Sequence, residues 1–115
     1  MPEELSLDTV RELLPERPGG GHKGTFGHLF ILAGSAGFTG AAKLCGLAAY
    51  RAGVGLATVG IPHPLAPLVA PGLMEVMYLR LPSTDAETIA HDALAPALRF
   101  TDGKDAVAIG PGLSR

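Results

Sequence analysis

The chain has 115 residues with a formal net charge of −2, which fits one compact domain and gives no basic surface for nucleic acid or an anionic membrane. It is 47% hydrophobic and 17% charged, a composition that forms a core and excludes disorder. A single cysteine excludes an intrachain disulfide framework and suits a reducing cytoplasm; no secretory leader is visible, and no apolar run approaches the ~18 residues of a membrane span.

Ser6 is placed to cap a short helix, LDTVRELL, whose Leu7, Val10, Leu13 and Leu14 share a face and which Pro15 ends. ERPGGGHKG follows as a connector. His28–Ala33 (HLFILA) is an apolar run of strand length, as in a parallel strand covered on both faces. Residues 34–40 form a glycine-rich turn. A helix then runs from Thr39 or Gly40 to Arg51 and stops at Gly53, with Ala41, Cys45, Ala48 and Ala52 as a stripe of small side chains that would let it approach a sheet closely.

The next strand is predicted over Val54–Ile61, stopped by Pro62. Leu65–Val69 reads as a short helical turn. Glu75–Leu81 alternates as a strand with one more exposed face. Asp85–Arg99 has a helical pattern, with Thr84 as its cap and Pro96 disturbing its end. Asp105–Ile109 (DAVAI) is a last, short, buried strand before GPGLSR. Alternating strands and helices predict a parallel sheet with right-handed crossovers, in which ligands sit beyond the carboxyl ends of the strands. Both glycine turns, Gly34–Gly40 and Gly110–Gly112, fall at such ends.

The glycines Gly34, Gly37 and Gly40 give G-x-x-G-x-x-G, which is neither the dinucleotide fingerprint nor a Walker loop, since Ala41 stands where lysine is required. Backbone N–H groups beside a helix N-terminus still favour an anion or a polar ligand edge, so Gly37, Thr39 and Gly40 are candidate contacts. His22 and Lys23 could lend positive charge to the same ligand; the alternative is an idle exposed pair. His28 is read as structural, and Cys45 as packing on the helix stripe. His63 and His91 lack partners at ligand spacing, so no metal site is predicted. Glu75, Asp85 and Asp105 read as solvated or capping groups. At 110–113, Pro111 fixes one φ angle while Gly110 and Gly112 permit unusual ones, a turn against which a flat ligand could lie.

Six segments in order carry a resemblance: HKG-x-x-G at 22–27, a strand ending in Gly34-Ser35, TGAA at 39–42, RAG-x-G at 51–55, PGLMEVM at 71–77 and AIGPGL at 108–113. From Arg17 to Leu113 the chain resembles the ADP/ATP-dependent NAD(P)H-hydrate dehydratases, a carbohydrate-kinase-related branch of the ribokinase-like superfamily. The resemblance implies a three-layer α/β/α ribokinase-like fold, of which residues 1–115 would be the N-terminal portion of a single domain. It also implies metabolite repair: the damaged hydrate of NADH or NADPH is phosphorylated at its misplaced hydroxyl, with ATP or ADP and Mg²⁺, and the phosphate is eliminated.

In that family the alanine of TGA and a glycine of GPGL contact the hydrated dinucleotide. These positions correspond to Ala41 and Gly112, with Gly110 as a neighbour. The family's threonine-proline-histidine segment, its adenosine-phosphate loop and the turn bearing its catalytic aspartate have no counterpart here. No catalytic residue is therefore expected in this chain, which alone should be inactive and should pair with the missing C-terminal portion or with copies of itself as a homo-oligomer. The alternatives are a small-alcohol (vitamin or sugar) kinase of the same superfamily, or a non-catalytic nucleotide-binding module. The module reading lacks both G-x-G-x-x-G and an acidic residue ending the second strand.

Overall fold

The four apolar runs that read as strands form strands. In the computed structural model, which describes residues 1–114, β1 (His28–Leu32), β2 (Leu56–Pro62), β3 (Met77–Leu81) and β4 (Ala106–Ile109) form one parallel sheet in the order β3-β2-β1-β4. β1 is central, with His28 opposite Leu56 and Leu29 opposite Ala106. The helices are α1 (Leu7–Leu13), α2 (Thr39–Ala52), α3 (Ala66–Val69) and α4 (Leu94–Thr101).

The alternation of strand side chains divides the core between two faces. Ile31, Ala57, Val59 and Ile61 pack with Ala42 and Ala49 of α2 and with Ala66 and Val69 of α3. Phe30 and Leu81 pack on the opposite face with Ala93 and with Ala97 of α4. Helices thus cover both faces, giving the three-layer α/β/α arrangement. Gly60 makes room for the Phe30 ring, because a Cβ there would stand 2.8 Å from its tip. The ring also packs 4.9 Å, centroid to centroid, from Phe100.

Ser6 caps α1 as expected, its hydroxyl accepting from the Thr9 N–H at 3.1 Å. Gly53 ends α2 with φ 102, its N–H reaching back to the carbonyls of Ala49 and Tyr50. β2 and β3 each begin two residues later than the apolar patterns predict. The chain at 63–65 makes a 3-10 turn that runs directly into α3.

Three expectations are corrected. The face of α2 that meets the sheet is Ala42, Gly46 and Ala49; of the predicted stripe, Ala48 and Ala52 are exposed while Ala41 and Cys45 are half-buried. A Cβ on Gly46 would lie 3.1 Å from a Val76 methyl and 3.3 Å from one of Val59, so contact with the sheet is closest there. The predicted helix at 85–99 exists only from residue 94. Residues 82–90 instead form a tight hairpin, and Pro96 sits in the first turn of α4, where its missing N–H would have had no helical partner. β4 is not buried: it is an edge strand with Val107 and Ile109 exposed. α1 buries none of its residues, leaving Leu7, Val10, Leu13 and Leu14 exposed.

Candidate functional site

Because β1 and β4 are parallel neighbours, the turns that follow them meet at the carboxyl edge of the sheet. β1 continues through buried Ala33, whose N–H donates to the Gly60 carbonyl, into Gly34 at φ 87. The Gly34 N–H donates to the Pro111 carbonyl at 3.0 Å. Ser35, 2% exposed, donates its hydroxyl to the Gly112 carbonyl at 2.7 Å. In the other direction the Gly110 N–H donates to the Leu32 carbonyl at 3.2 Å. Two hydrogen bonds thus tie one glycine turn to the other, and a third ties Gly110 to the end of β1.

Within the first turn the Phe38 N–H returns to the Ser35 carbonyl at 2.9 Å, closing a β-turn over Ala36 and Gly37. Gly37 has φ 82 at the third position, the mark of a type II turn, which only glycine or asparagine enters readily. Phe38 precedes α2 without a side-chain cap, and the first turn of α2 carries no acidic residue. The partial positive charge of the helix end is therefore not countered by a carboxylate of its own first turn.

Ala41 and Gly112, far apart in sequence, come into direct proximity. A Cβ on Gly112 would stand 3.2 Å from the Ala41 Cβ, 2.7 Å from the Phe38 Cβ and 3.0 Å from the Phe38 carbonyl oxygen. Gly112 has φ 67 and Gly110 φ 139, so both hold conformations that L side chains avoid. Gly37 and Gly40 have no atom within 4 Å of where a Cβ would be, and Thr39 and Gly40 start α2 beside Ala41. Ala41 and Gly112 are therefore neighbours, while Gly110, Gly37, Thr39 and Gly40 belong to the same two turns and to the start of α2.

His22 and Lys23 do not join them. They form the start of a 3-10 turn ahead of β1, at the opposite end of the sheet, where the Phe26 carbonyl accepts from the Gly55 N–H before β2. The His22 ring accepts from the Gly24 N–H at 3.1 Å, and so acts as a local cap. His28 lies at that end too. Its backbone N–H donates to Asp105 at 2.8 Å, and its Nε2 shares a 2.8 Å hydrogen bond with the Thr58 hydroxyl. Burial, and then the Lys104 ammonium, hold its imidazole below the ordinary histidine pKa, against the opposing pull of Asp105.

A cleft of about 710 Å³ opens at this amino end, lined by Leu14, Arg17, Phe26, Leu29, Val54 and Asp105 among others. None of the residues of the glycine turns lines it. Parallel sheets nevertheless bind ligands beyond the carboxyl ends of their strands, and the turns stripped of side chains lie there. The turns are the candidate site on that ground.

Two features of the site escape a reading of the sequence. Ser35 clamps the turns through a single hydroxyl, and only its place after Gly34 hints at this. The hairpin at 82–90 brings the Glu87 carbonyl to the Ala36 N–H at 3.1 Å. Its run of turn-forming residues, Pro82-Ser83-Thr84-Asp85, was the available signal. Among the described residues no group of three or more His, Cys, Asp or Glu could hold a metal ion, and no helix is long and apolar enough to cross a membrane.

Residues 29–115 match the carbohydrate-kinase family model described as NAD(P)H-hydrate dehydratase. The chain is 43% identical over 111 residues to the bifunctional NAD(P)H-hydrate repair enzyme of Moorella thermoacetica, covering 96% of this chain and 21% of that protein. It is 42% identical over 104 residues to the ADP-dependent (S)-NAD(P)H-hydrate dehydratase of Bacillus subtilis, covering 90% and 34%. It therefore spans between a fifth and about a third of the length of these curated relatives.

Among solved structures it superposes on the ADP/ATP-dependent NAD(P)H-hydrate dehydratase of Bacillus subtilis, co-crystallized with ATP/Mg²⁺, with TM-score 0.62 and 32% identity over 92% of this chain and 44% of that one. A ribokinase-like superfamily protein of Enterococcus faecalis matches with TM-score 0.73 over 96% and 36%; at 23% identity it shares the fold alone. The matched sequence, the layered parallel sheet and the paired glycine turns agree: the chain belongs to the NAD(P)H-hydrate dehydratase family.

Proposed function

We propose that this chain is the N-terminal, substrate-binding part of an ADP- or ATP-dependent NAD(P)H-hydrate dehydratase, and that the surface formed by Ala41, Gly110 and Gly112 receives the hydrated nicotinamide of damaged NADH or NADPH. The observation that carries the reading is the close approach of Gly112 to Phe38 and Ala41, where backbone, the Ala41 methyl and the base of the Phe38 side chain meet. A flat ring lies against such a wall without displacing side chains. The first turn of α2 turns its N–H groups and partial positive charge toward the same end.

The chain's own residues bind and orient; they do not supply the chemistry. The Ser35 hydroxyl is committed to the Gly112 carbonyl. The N–H groups of Gly34, Ala36 and Phe38 are committed to Pro111, Glu87 and Ser35. Those three amides are therefore not available to a phosphate, and the described residues offer no cluster for Mg²⁺. No step through the donor nucleotide or its metal is assigned to them. The base that activates the substrate hydroxyl and the donor site belong, on this reading, to the remainder of a longer protein working in the cytoplasm. The exposed β4 edge, with Val107 and Ile109, suits packing against that remainder or within a homo-oligomer.

The test uses the complete enzyme, the hydrates of NADH and NADPH, ATP or ADP, and Mg²⁺, following the absorbance of the restored dihydronicotinamide. Ala41→Leu, which adds bulk at the contact with Gly112, should raise KM for the hydrate about tenfold or more and cost about 1–3 kcal/mol of stability through overpacking. An unchanged KM in the variant would reduce Ala41 to packing. Phosphorylation of small alcohols with no action on either hydrate would replace the reading with a kinase.

A further inference from the structure

We infer that the hairpin at 82–90 is a third wall of this site and that Glu87 is a positioning residue, acting through its backbone carbonyl on the glycine turn; the inference rests on the dehydratase reading above. Glu87, at φ 56, is the only non-glycine residue with positive φ among the described residues. Its conformation is held from several sides. The Glu87 N–H donates to the Thr84 carbonyl at 3.0 Å, the Thr84 N–H to the Thr88 carbonyl at 2.9 Å, and the two threonine hydroxyls meet at 2.8 Å. The Ala90 N–H closes the base of the hairpin on the Pro82 carbonyl at 3.0 Å. Strain that the surrounding hydrogen bonds overdetermine is characteristic of ligand clamps and active sites.

The product of this geometry is one contact, the Ala36 N–H donating to the Glu87 carbonyl at 3.1 Å. Ala36 is the second residue of the type II turn whose last residue, Phe38, touches Gly112's position and immediately precedes α2. The turn is anchored at Gly34 by Pro111 and at Ala36 by Glu87, so two segments remote in sequence fix its tilt. The hairpin's own packing is separate, since Ile89 rests with Phe30, Leu81 and Ala93 on the far face of the sheet. Loss of the Ala36–Glu87 bond would therefore free the wall without emptying the core.

Ala36→Pro isolates that bond in the complete enzyme, because the second position of a type II turn accepts proline and only the N–H is lost. KM for the hydrate should rise about five- to tenfold with kcat within about twofold, the signature of lost binding alignment. Glu87→Val, whose branched side chain resists a positive φ, should give the same KM change. The double variant should add nothing further, since both break one contact. Hydrogen exchange supplies a readout independent of turnover: the Ala36 amide should be protected in the parent and in Glu87→Gly, which keeps the carbonyl at ease, and exposed in Glu87→Val. Unchanged KM in both single variants of an active enzyme, a fall in kcat alone, or an Ala36 amide that exchanges equally fast in parent and Glu87→Val each overturns the positioning role. A parent that leaves the hydrates untouched refutes the dehydratase reading instead, and the exchange experiment still decides whether the hairpin holds the turn.

Discussion

Gly112→Ala isolates the closest approach in the site. Two costs add. At φ 67 an L-residue loses about 1–2 kcal/mol to the clash of its Cβ with the backbone. The new methyl would also stand 2.7 Å from the Phe38 Cβ, 3.0 Å from the Phe38 oxygen and 3.2 Å from the Ala41 Cβ, all inside ordinary contact distance. Relieving such crowding costs about 1–3 kcal/mol. The expected loss is about 2–5 kcal/mol, a large part of the ~5–15 kcal/mol that holds a domain together. Gly37→Ala is the control: φ is 82, but no atom lies within 4 Å of the new Cβ, so only the backbone cost of about 1–2 kcal/mol remains. Urea unfolding of the two variants, with m-values checked for constancy, measures the difference. If Gly112→Ala is no more destabilising than Gly37→Ala, the two turns do not meet as described, and the substrate wall loses its physical basis.

The Ser35 clamp should be worth about 1–3 kcal/mol, since Ser35→Ala leaves the Gly112 carbonyl without the hydroxyl that now satisfies it; thermal unfolding reads the loss, and an unshifted Tm would deny the clamp. His28 gives a pH dependence of stability with a definite sign. Its folded pKa lies below the ordinary 6.5, so the folded state takes up a proton less readily than the unfolded chain. The stability it contributes is whole above that ordinary value and is lost as pH falls through the folded pKa. Titration of the imidazole by NMR should show the depressed midpoint, and Lys104→Gln should move it upward; a midpoint at or above the ordinary value would refute the assignment.

The stretch from β1 to β2 is legible in the sequence because each apolar run there is bounded by a glycine or a proline, and Gly53 marks the helix end by the φ it adopts. What was not legible has physical causes. α2 carries two adjacent stripes of small residues, so hydrophobicity does not choose between them; Val59 and Val76 choose, by leaving room only for Gly46. The run AVAI announces a strand but not its place in the sheet, and β4 falls at an edge with its side chains exposed. In 85–99 the helix-favouring alanines and glutamate lose to Thr84 and Thr88, whose hydroxyls and backbone close a hairpin instead. Pro96 is then compatible with α4 only if the helix starts beside it.

The same logic explains the uneven legibility of the site. Gly110, Gly112 and the 34–40 turn stand out because glycine is a visible sign of unusual backbone. Glu87 adopts an unusual backbone too, but no sequence pattern reveals that a glutamate has done so, and its contact is made by a carbonyl common to every residue. His22 and Lys23 mislead in the opposite way. They are chemically conspicuous and close to β1 in sequence, yet β1 itself, running its full length between them and Gly34, carries them away from the turns. A wall made of backbone has its shape set by φ angles and by which carbonyl meets which N–H. Deleting side chains from it removes little, whereas adding a methyl at Gly112 or deleting the N–H of Ala36 alters the surface itself. Those additions and deletions, rather than an alanine scan, are the perturbations to which this site should answer.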